Sequence, residues 1–325
     1  MFMNSSNLLF MSMTIMGVMV SFSSSSWLMI WIGMEISMMS FIPLISIKSF
    51  LNSEFSMKYF IIQSISSMII LFSLIMMLMK IENFNTIMLC SLIMKMGGVP
   101  FHNWVVSTVD GLSYESLFIL LIIMKIGPLL MISYMNTSLM MFIILCLIFG
   151  SINGLNQSSL KKMLTFSSIY NLSLILFSLK NNSIWILMMM NYSIIMMGII
   201  ITMKKFKINY INQMIFIEMK NYKKLVLMIS MMSLGGMPPL LGFQMKMMIF
   251  EMMIQSTNYI LSFILILSSL LIFYFYMNMM VSMLMFSSIS LKLNMSNKML
   301  VKNWFIILML NSVLFWPFMM TKLMT

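Results

Sequence analysis

Apolar residues run along this chain in stretches of about 20, separated by short polar connections, which is the length an α-helix needs to cross the hydrocarbon of a bilayer. The pattern predicts eleven spans, at 7–23, 27–47, 57–79, 84–110, 114–133, 138–155, 158–178, 183–203, 222–255, 257–285 and 302–320. The fourth and ninth are too long for one straight crossing. They are also the two that contain Gly-Gly-x-Pro, as Gly97-Gly98-Val99-Pro100 and Gly235-Gly236-Met237-Pro238-Pro239. Length and helix breakers therefore agree on two discontinuous helices. Backbone unpaired by such a break is tolerated at membrane depth only where protein or a water-lined cavity satisfies it, and in transporters such breaks mark ion and substrate sites. The expected fold is all-α, a single polytopic membrane domain over residues 1–325.

The two broken spans are five apart. A repeat with an odd number of helices enters the membrane from the opposite face, so 1–133 and 138–285 are expected to form an inverted-topology pair, with 302–320 as an additional C-terminal span. Lys95 precedes its break and Lys246 follows its own, as expected if both point to a polar region near the midplane from opposite directions.

Composition supports the membrane reading and adds a second message. The 325 residues are 61% hydrophobic and 8% charged, against roughly 25% charged in a soluble domain. There is no alanine and no arginine, whereas 52 residues are methionine. Alanine and most arginine codons are rich in G and C, so the gene is extremely A+T-rich. An excess of Met beside Ile, Lys, Asn and Phe points further to ATA being read as Met, as in animal mitochondrial codes. No basic leader precedes the first span, which predicts insertion where the chain is made. Cys90 and Cys146 each sit alone in an apolar run and are expected to act as small hydrophobes.

The lysines test the span count. Lys48, Lys58, Lys161, Lys162, Lys204, Lys205, Lys207, Lys220, Lys223, Lys224, Lys292, Lys298 and Lys302 fall in the connections after even-numbered spans or within the first few residues beyond them, while only Lys80, Lys180 and Lys322 fall on the other side. By the positive-inside rule the N-terminus faces the matrix and the C-terminus the opposite side. The net charge of +12 is thus an orientation signal facing anionic lipid, with too little aromatic interleaving for a nucleic-acid footprint.

Three lysines remain well away from the span ends, Lys95, Lys125 and Lys246, and Glu35 lies near the middle of the second. Three lysines at helix centres would cost roughly 8 to 10 kcal/mol on the insertion scale, so retaining them points to function. Because the distance to a carboxylate decides whether a buried amine holds its proton, Glu35 is expected to act as a switchable counter-ion of Lys95. Lys125 and Lys246 would then be the next stations of a lateral proton path, with Pro128 weakening the helix beside Lys125. Glu251 lies about 140° round the helix from Lys246 and reads either as a gate or as a headgroup-level carboxylate. Asp110 and Glu115 read as loop carboxylates, with gating as the sharper alternative. His102, the sole histidine, is either a polar residue opening the second half-helix or a relay, and cannot hold a metal alone. No dinucleotide fingerprint, P-loop or cysteine framework is present, so no redox chemistry is expected on this chain.

Lys95-Met-Gly-Gly-Val-Pro-Phe-His-Asn-Trp104, Gly154-Leu-Asn-Gln-Ser-Ser-Leu-Lys-Lys162 running into Phe166-Ser-Ser-Ile169, and Leu234-Gly-Gly-Met-Pro-Pro-Leu-Leu-Gly-Phe243 with Lys246 resemble the NADH dehydrogenase subunit 2 family, the mitochondrially encoded antiporter-like chains of respiratory complex I. The resemblance runs from Trp27 to about residue 280 and is only compositional beyond. It implies a place in the proton-pumping arm, shared ancestry with Mrp-type cation/proton antiporters, and eleven spans. It carries the family's glutamate and lysine positions onto Glu35, Lys95, Lys125 and Lys246. It implies that NADH, FMN, iron-sulfur clusters and ubiquinone belong to other subunits. The implied partners are other membrane-arm subunits, among them the antiporter-like subunit 4 and the small subunit 4L, together with cardiolipin, and no homo-oligomer. Relatives commonly carry His where this chain has Asn171, so a relay there would need water or the hydroxyls of Ser167 and Ser173.

A stand-alone Mrp-like antiporter is the competing reading, and the inverted repeat serves it equally well. Sodium prefers several oxygen ligands, whereas one carboxylate and three lysines favour protons. An inert scaffold would not retain the buried lysines.

Overall fold

The computed structural model describes residues 5–46, 50–80, 84–135, 137–216 and 221–287. The predicted span at 302–320 lies outside the described residues, as do Lys48, Lys220, Lys292, Lys298, Lys302 and Lys322. Among the described residues the regular structure is helical, with one isolated bridge between Ser159 and Tyr210. The described parts of Met1–Cys146 and Ile175–Trp185 form one compact unit, and those of Leu147–Leu174 and Ile186–Thr325 form a second.

In the first unit α1 (Ser5–Ser23) and α2 (Trp27–Ser46) form a tight hairpin. Small residues bring the backbones into contact: a Cβ added at Gly33 would lie 2.7 Å from the Gly17 carbonyl oxygen, and one at Gly17 would lie 2.7 Å from the Ser37 nitrogen. Small-residue seams of this kind let membrane helices associate by close packing where no hydrophobic force drives them together. Helix α3 (Phe50–Leu78) begins two turns before the predicted span, helped by an exposed Glu54–Lys58 pair one turn apart. The fourth span is divided as expected, into α4 (Phe84–Met96) and α5 (Asn103–Thr108), followed by a 3₁₀ turn at Val109–Gly111.

The fifth span departs from the expectation of a single helix. It consists of α6 (Tyr114–Leu121), a 3₁₀ turn at Ile123–Lys125 and α7 (Ile126–Ser133). Pro128 explains the break. Its ring opposes the carbonyl four residues earlier, at Met124, and it has no N–H to offer that carbonyl. The chain answers with a tighter turn, in which the Lys125 N–H donates to the Ile122 oxygen at 3.2 Å. Glu115 sits in the first turn of α6 and not in a loop, with Ser113 capping that helix. Asp110 lies in the 3₁₀ turn and is exposed.

The following helices are α8 (Met140–Leu155), α9 (Leu160–Ser178) and α10 (Asn182–Phe206). A short α11 (Ile211–Phe216) within the basic connection was not anticipated, and the bridge at Ser159 ties that connection to the start of α9. The ninth span is divided as expected into α12 (Asn221–Gly235) and α13 (Leu241–Gln255), and α14 (Tyr259–Ser287) is continuous.

The outward faces are apolar, with Met16 and Met19 on α1, Met68 and Phe72 on α3, and Phe263 and Leu270 on α14 all exposed. Six described segments, Ser5–Ser23, Trp27–Ser46, Asn52–Leu78, Tyr114–Ser133, Asn182–Phe206 and Tyr259–Met283, are each long and apolar enough to cross a membrane. Serine hydroxyls inside the helices donate to carbonyls of their own turn, as Ser37 does to Met34 and Ser73 to Ile70. Hydrocarbon offers a hydroxyl no other acceptor.

Candidate functional site

Both Gly-Gly breaks are built as the same helix cap. At the first, Gly97 takes a left-handed φ of 69°, its N–H donates to the Met94 oxygen, and the Gly98 N–H reaches back to Ile93 at 2.9 Å. At the second, Gly236 has φ of 88°, its N–H donates to Ser233, and the Met237 N–H reaches Met232 at 3.2 Å. Each is a Schellman ending, which satisfies the last carbonyls of a helix without continuing it. The end carbonyls of Met94, Lys95 and Gly235, at the negative pole of each half-helix, accept from side chains.

Lys95 is in the last turn of α4, and its backbone oxygen would ordinarily accept from Val99. The Val99 N–H instead donates to the Cys146 sulfur at 3.3 Å, and the freed Lys95 oxygen accepts from the Gln63 amide of α3 at 3.0 Å. The Trp104 indole N–H donates to Met94 O at 3.1 Å, tying α5 to the end of α4. The Lys95 side chain, 4% exposed, places its Nζ 2.8 Å from Glu35 Oε1 on α2. The pair expected from the sequence is therefore formed.

Lys125 is buried at the 3₁₀ break of the fifth span and shares a small cavity with Lys95. The cavity, about 20 Å³, is lined also by Ser37, Tyr59, Gln63, Trp104 and Pro128. That volume admits roughly one water molecule.

Lys246 belongs to the second unit. Its side chain returns from α13 across the break, and Nζ donates to the Gly235 oxygen at the end of α12, at 2.6 Å. The Tyr170 ring lies 5.6 Å from the same ammonium. Among the described residues no carboxylate pairs with Lys246, and Glu251, partly exposed on α13, is not brought to it. Alongside lies a largely apolar cavity of about 380 Å³ lined by Gly235, Gly236, Pro238, Phe243, Lys246 and Phe273. Pro239 belongs to the same connection into α13.

His102 occupies the residue before α5. Asn171 is buried on α9, but the Ser167 and Ser173 hydroxyls beside it in sequence donate to Leu164 and Tyr170 carbonyls of their own helix. Gln63, Tyr59 and Tyr170 contribute to the site without having been singled out. Gln63 alone carried a signal, the one amide side chain among the apolar residues and serines of its span. Cys146 is an acceptor for the broken backbone, more than the small hydrophobe expected. Among the described residues no group of three or more His, Cys, Asp or Glu could hold a metal ion.

Comparison with known proteins adds the following. The family model described as NADH:quinone oxidoreductase/Mrp antiporter, TM, matches residues 24–88 and 79–272. The NADH-ubiquinone oxidoreductase chain 2 of Anopheles gambiae is 38% identical over 312 residues, covering 90% of this chain and 92% of the relative. The protein of the same name from Rhipicephalus sanguineus is 36% identical, covering 92% and 97%. Among solved structures, a chain of respiratory complex I from Thermus thermophilus superposes with a TM-score of 0.79 at 16% identity, over 86% of this chain and 71% of that one. A chain of the Mrp complex from Dietzia sp. DQ12-45-1b superposes with a TM-score of 0.76 at 12% identity, over 84% and 59%. These distant structures share the fold.

Proposed function

The chain belongs to the NADH-ubiquinone oxidoreductase chain 2 family, within the wider NADH:quinone oxidoreductase/Mrp antiporter transmembrane family, and from that premise we propose that it moves protons across the inner mitochondrial membrane as a core subunit of the membrane arm of respiratory complex I. The observation that carries the proton role is the buried Glu35–Lys95 contact at the end of a broken helix. A carboxylate at 2.8 Å stabilises the charged amine, and separating the two removes that support. Lengthening this contact therefore releases a proton, and restoring it recaptures one.

Lys125 and Lys246 are the further stations of this reading. Each lies where a helix is interrupted, Lys125 at a 3₁₀ turn and Lys246 at the carbonyl end of a half-helix. His102, Asp110, Asn171 and Glu251 are candidate gates or relays on the same path. The halves 1–133 and 138–285 are read as inverted repeats within an eleven-span domain whose N-terminus faces the matrix. Subunits 4 and 4L and cardiolipin are the proposed neighbours, and NADH, FMN, iron-sulfur clusters and ubiquinone are assigned to other subunits. Membership in the chain 2 family favours this over the stand-alone antiporter.

Replacing Lys95→Ala or Glu35→Gln in the assembled complex is expected to lower proton pumping by at least about tenfold, the scale on which removing one positioned proton donor or acceptor acts. Normal assembly with unchanged pumping per NADH oxidised would refute both roles. Migration on native sizing only as a small free protein would favour the stand-alone antiporter.

A further inference from the structure

Tyr59 of α3 is 1% exposed, yet its hydroxyl has no hydrogen-bond partner. A buried, unbonded hydroxyl is destabilising, so the site calls for an account. The ring is packed edge-on against Phe41 at 5.2 Å and tilted against Trp104 at 5.8 Å, which orients the side chain along the wall of the cavity shared by Lys95 and Lys125.

That cavity, about 20 Å³, exceeds the roughly 10–15 Å³ that one water requires, and a buried water needs two to four polar partners. The walls provide them. Besides Tyr59, the lining residues Lys95, Lys125, Ser37 and Gln63 all carry polar side chains. Ser37 commits its proton to the Met34 carbonyl and Gln63 commits its amide to Lys95, so both retain oxygen lone pairs that can accept.

We propose that this cavity is a single-water site closed by the Tyr59 hydroxyl, which positions the water that carries a proton between Lys95 and Lys125. The inference rests on the proton-translocation reading above. In the transfer the Lys95 nitrogen loses one proton to the water oxygen, the water gives one of its protons to the Lys125 nitrogen, and the water is neutral again. Tyr59 orients the water by donating to its oxygen and keeps its own proton. One positive charge changes place and no bond to carbon is made or broken.

Tyr59→Phe removes the oxygen and keeps the ring between Phe41 and Trp104, so it separates the relay from the packing. In the assembled complex the expected result is loss of the ordered water and a proton-pumping rate per complex about tenfold lower, the scale of one lost hydrogen bond in the path. A high-resolution map of the unaltered complex should show the water within hydrogen-bond distance of Tyr59 Oη. A dry cavity there, in a map that resolves other buried waters, overturns the inference, and so does wild-type pumping by Tyr59→Phe. Should the variant fail to assemble, the map of the unaltered complex decides alone. If Lys95→Ala and Glu35→Gln stop pumping while Tyr59→Phe does not, only the water site falls. If all three pump normally, the underlying reading falls with it.

Discussion

Gly236 and Lys246 occupy adjoining space. A methyl at position 236 would lie 2.7 Å from the lysine nitrogen, and the φ of 88° there is one that L side chains rarely adopt. Gly236→Ala is therefore expected to cost about 1–2 kcal/mol in backbone strain alone and to push the ammonium off the Gly235 carbonyl. Proton pumping and a structure of the variant complex would both report the displacement. Gly235→Ala is the contrasting case, because its nearest neighbour would be the Phe273 ring at 3.4 Å, and pumping should be nearly unchanged. The sequence shows two Gly-Gly-x-Pro patterns as if they were equivalent, but the left-handed residue is the first glycine at 97–98 and the second at 235–236. After the break, Val105 packs close to Gly97 and Lys246 close to Gly236. Glu35 and Lys95 were legible because charge inside an apolar run is costly and conspicuous. Tyr59 and Cys146 were not, since a tyrosine or cysteine in such a run looks like ordinary core until its polar atom is located.

Helices in this protein are interrupted by two different devices. Glycine endings close α4 and α12, and the cap residues themselves give the signal. In the fifth span the signal is displaced, because Pro128 disturbs the carbonyl four residues upstream, and a reading by apolar length alone passes over it. The hairpin of α1 and α2 tests how far packing depends on small residues. At Gly33 a side chain would strike the Gly17 carbonyl and the Ser21 nitrogen, both backbone atoms that cannot rotate aside. Gly33→Leu should cost about 1–3 kcal/mol or more through overpacking. Faster amide exchange in α1 and less assembled complex on native gels would be the measurements, and unchanged exchange would show that the seam is dispensable.

Across the whole molecule, lysine placement makes a claim that can be checked from outside. Lys207, Lys80 and Lys180 are all exposed, with Lys207 assigned to the matrix side and the other two to the opposite side. A membrane-impermeant amine reagent should modify Lys80 and Lys180 in mitoplasts and Lys207 only in inverted particles, and the reverse pattern would invert the topology. The all-helical membrane character was readable because bilayer thickness acts on every helix alike, whereas the packing around the interior lysines is local and such averages do not contain it. One contact carries a mechanical consequence. The Lys246 amine clips the far end of α12 onto α13, and a charged donor makes that clip roughly twice as strong as a neutral one. On the proposed proton path, loss of that proton would soften the joint between the two half-helices, so proton occupancy would set the stiffness of the rod that contains it.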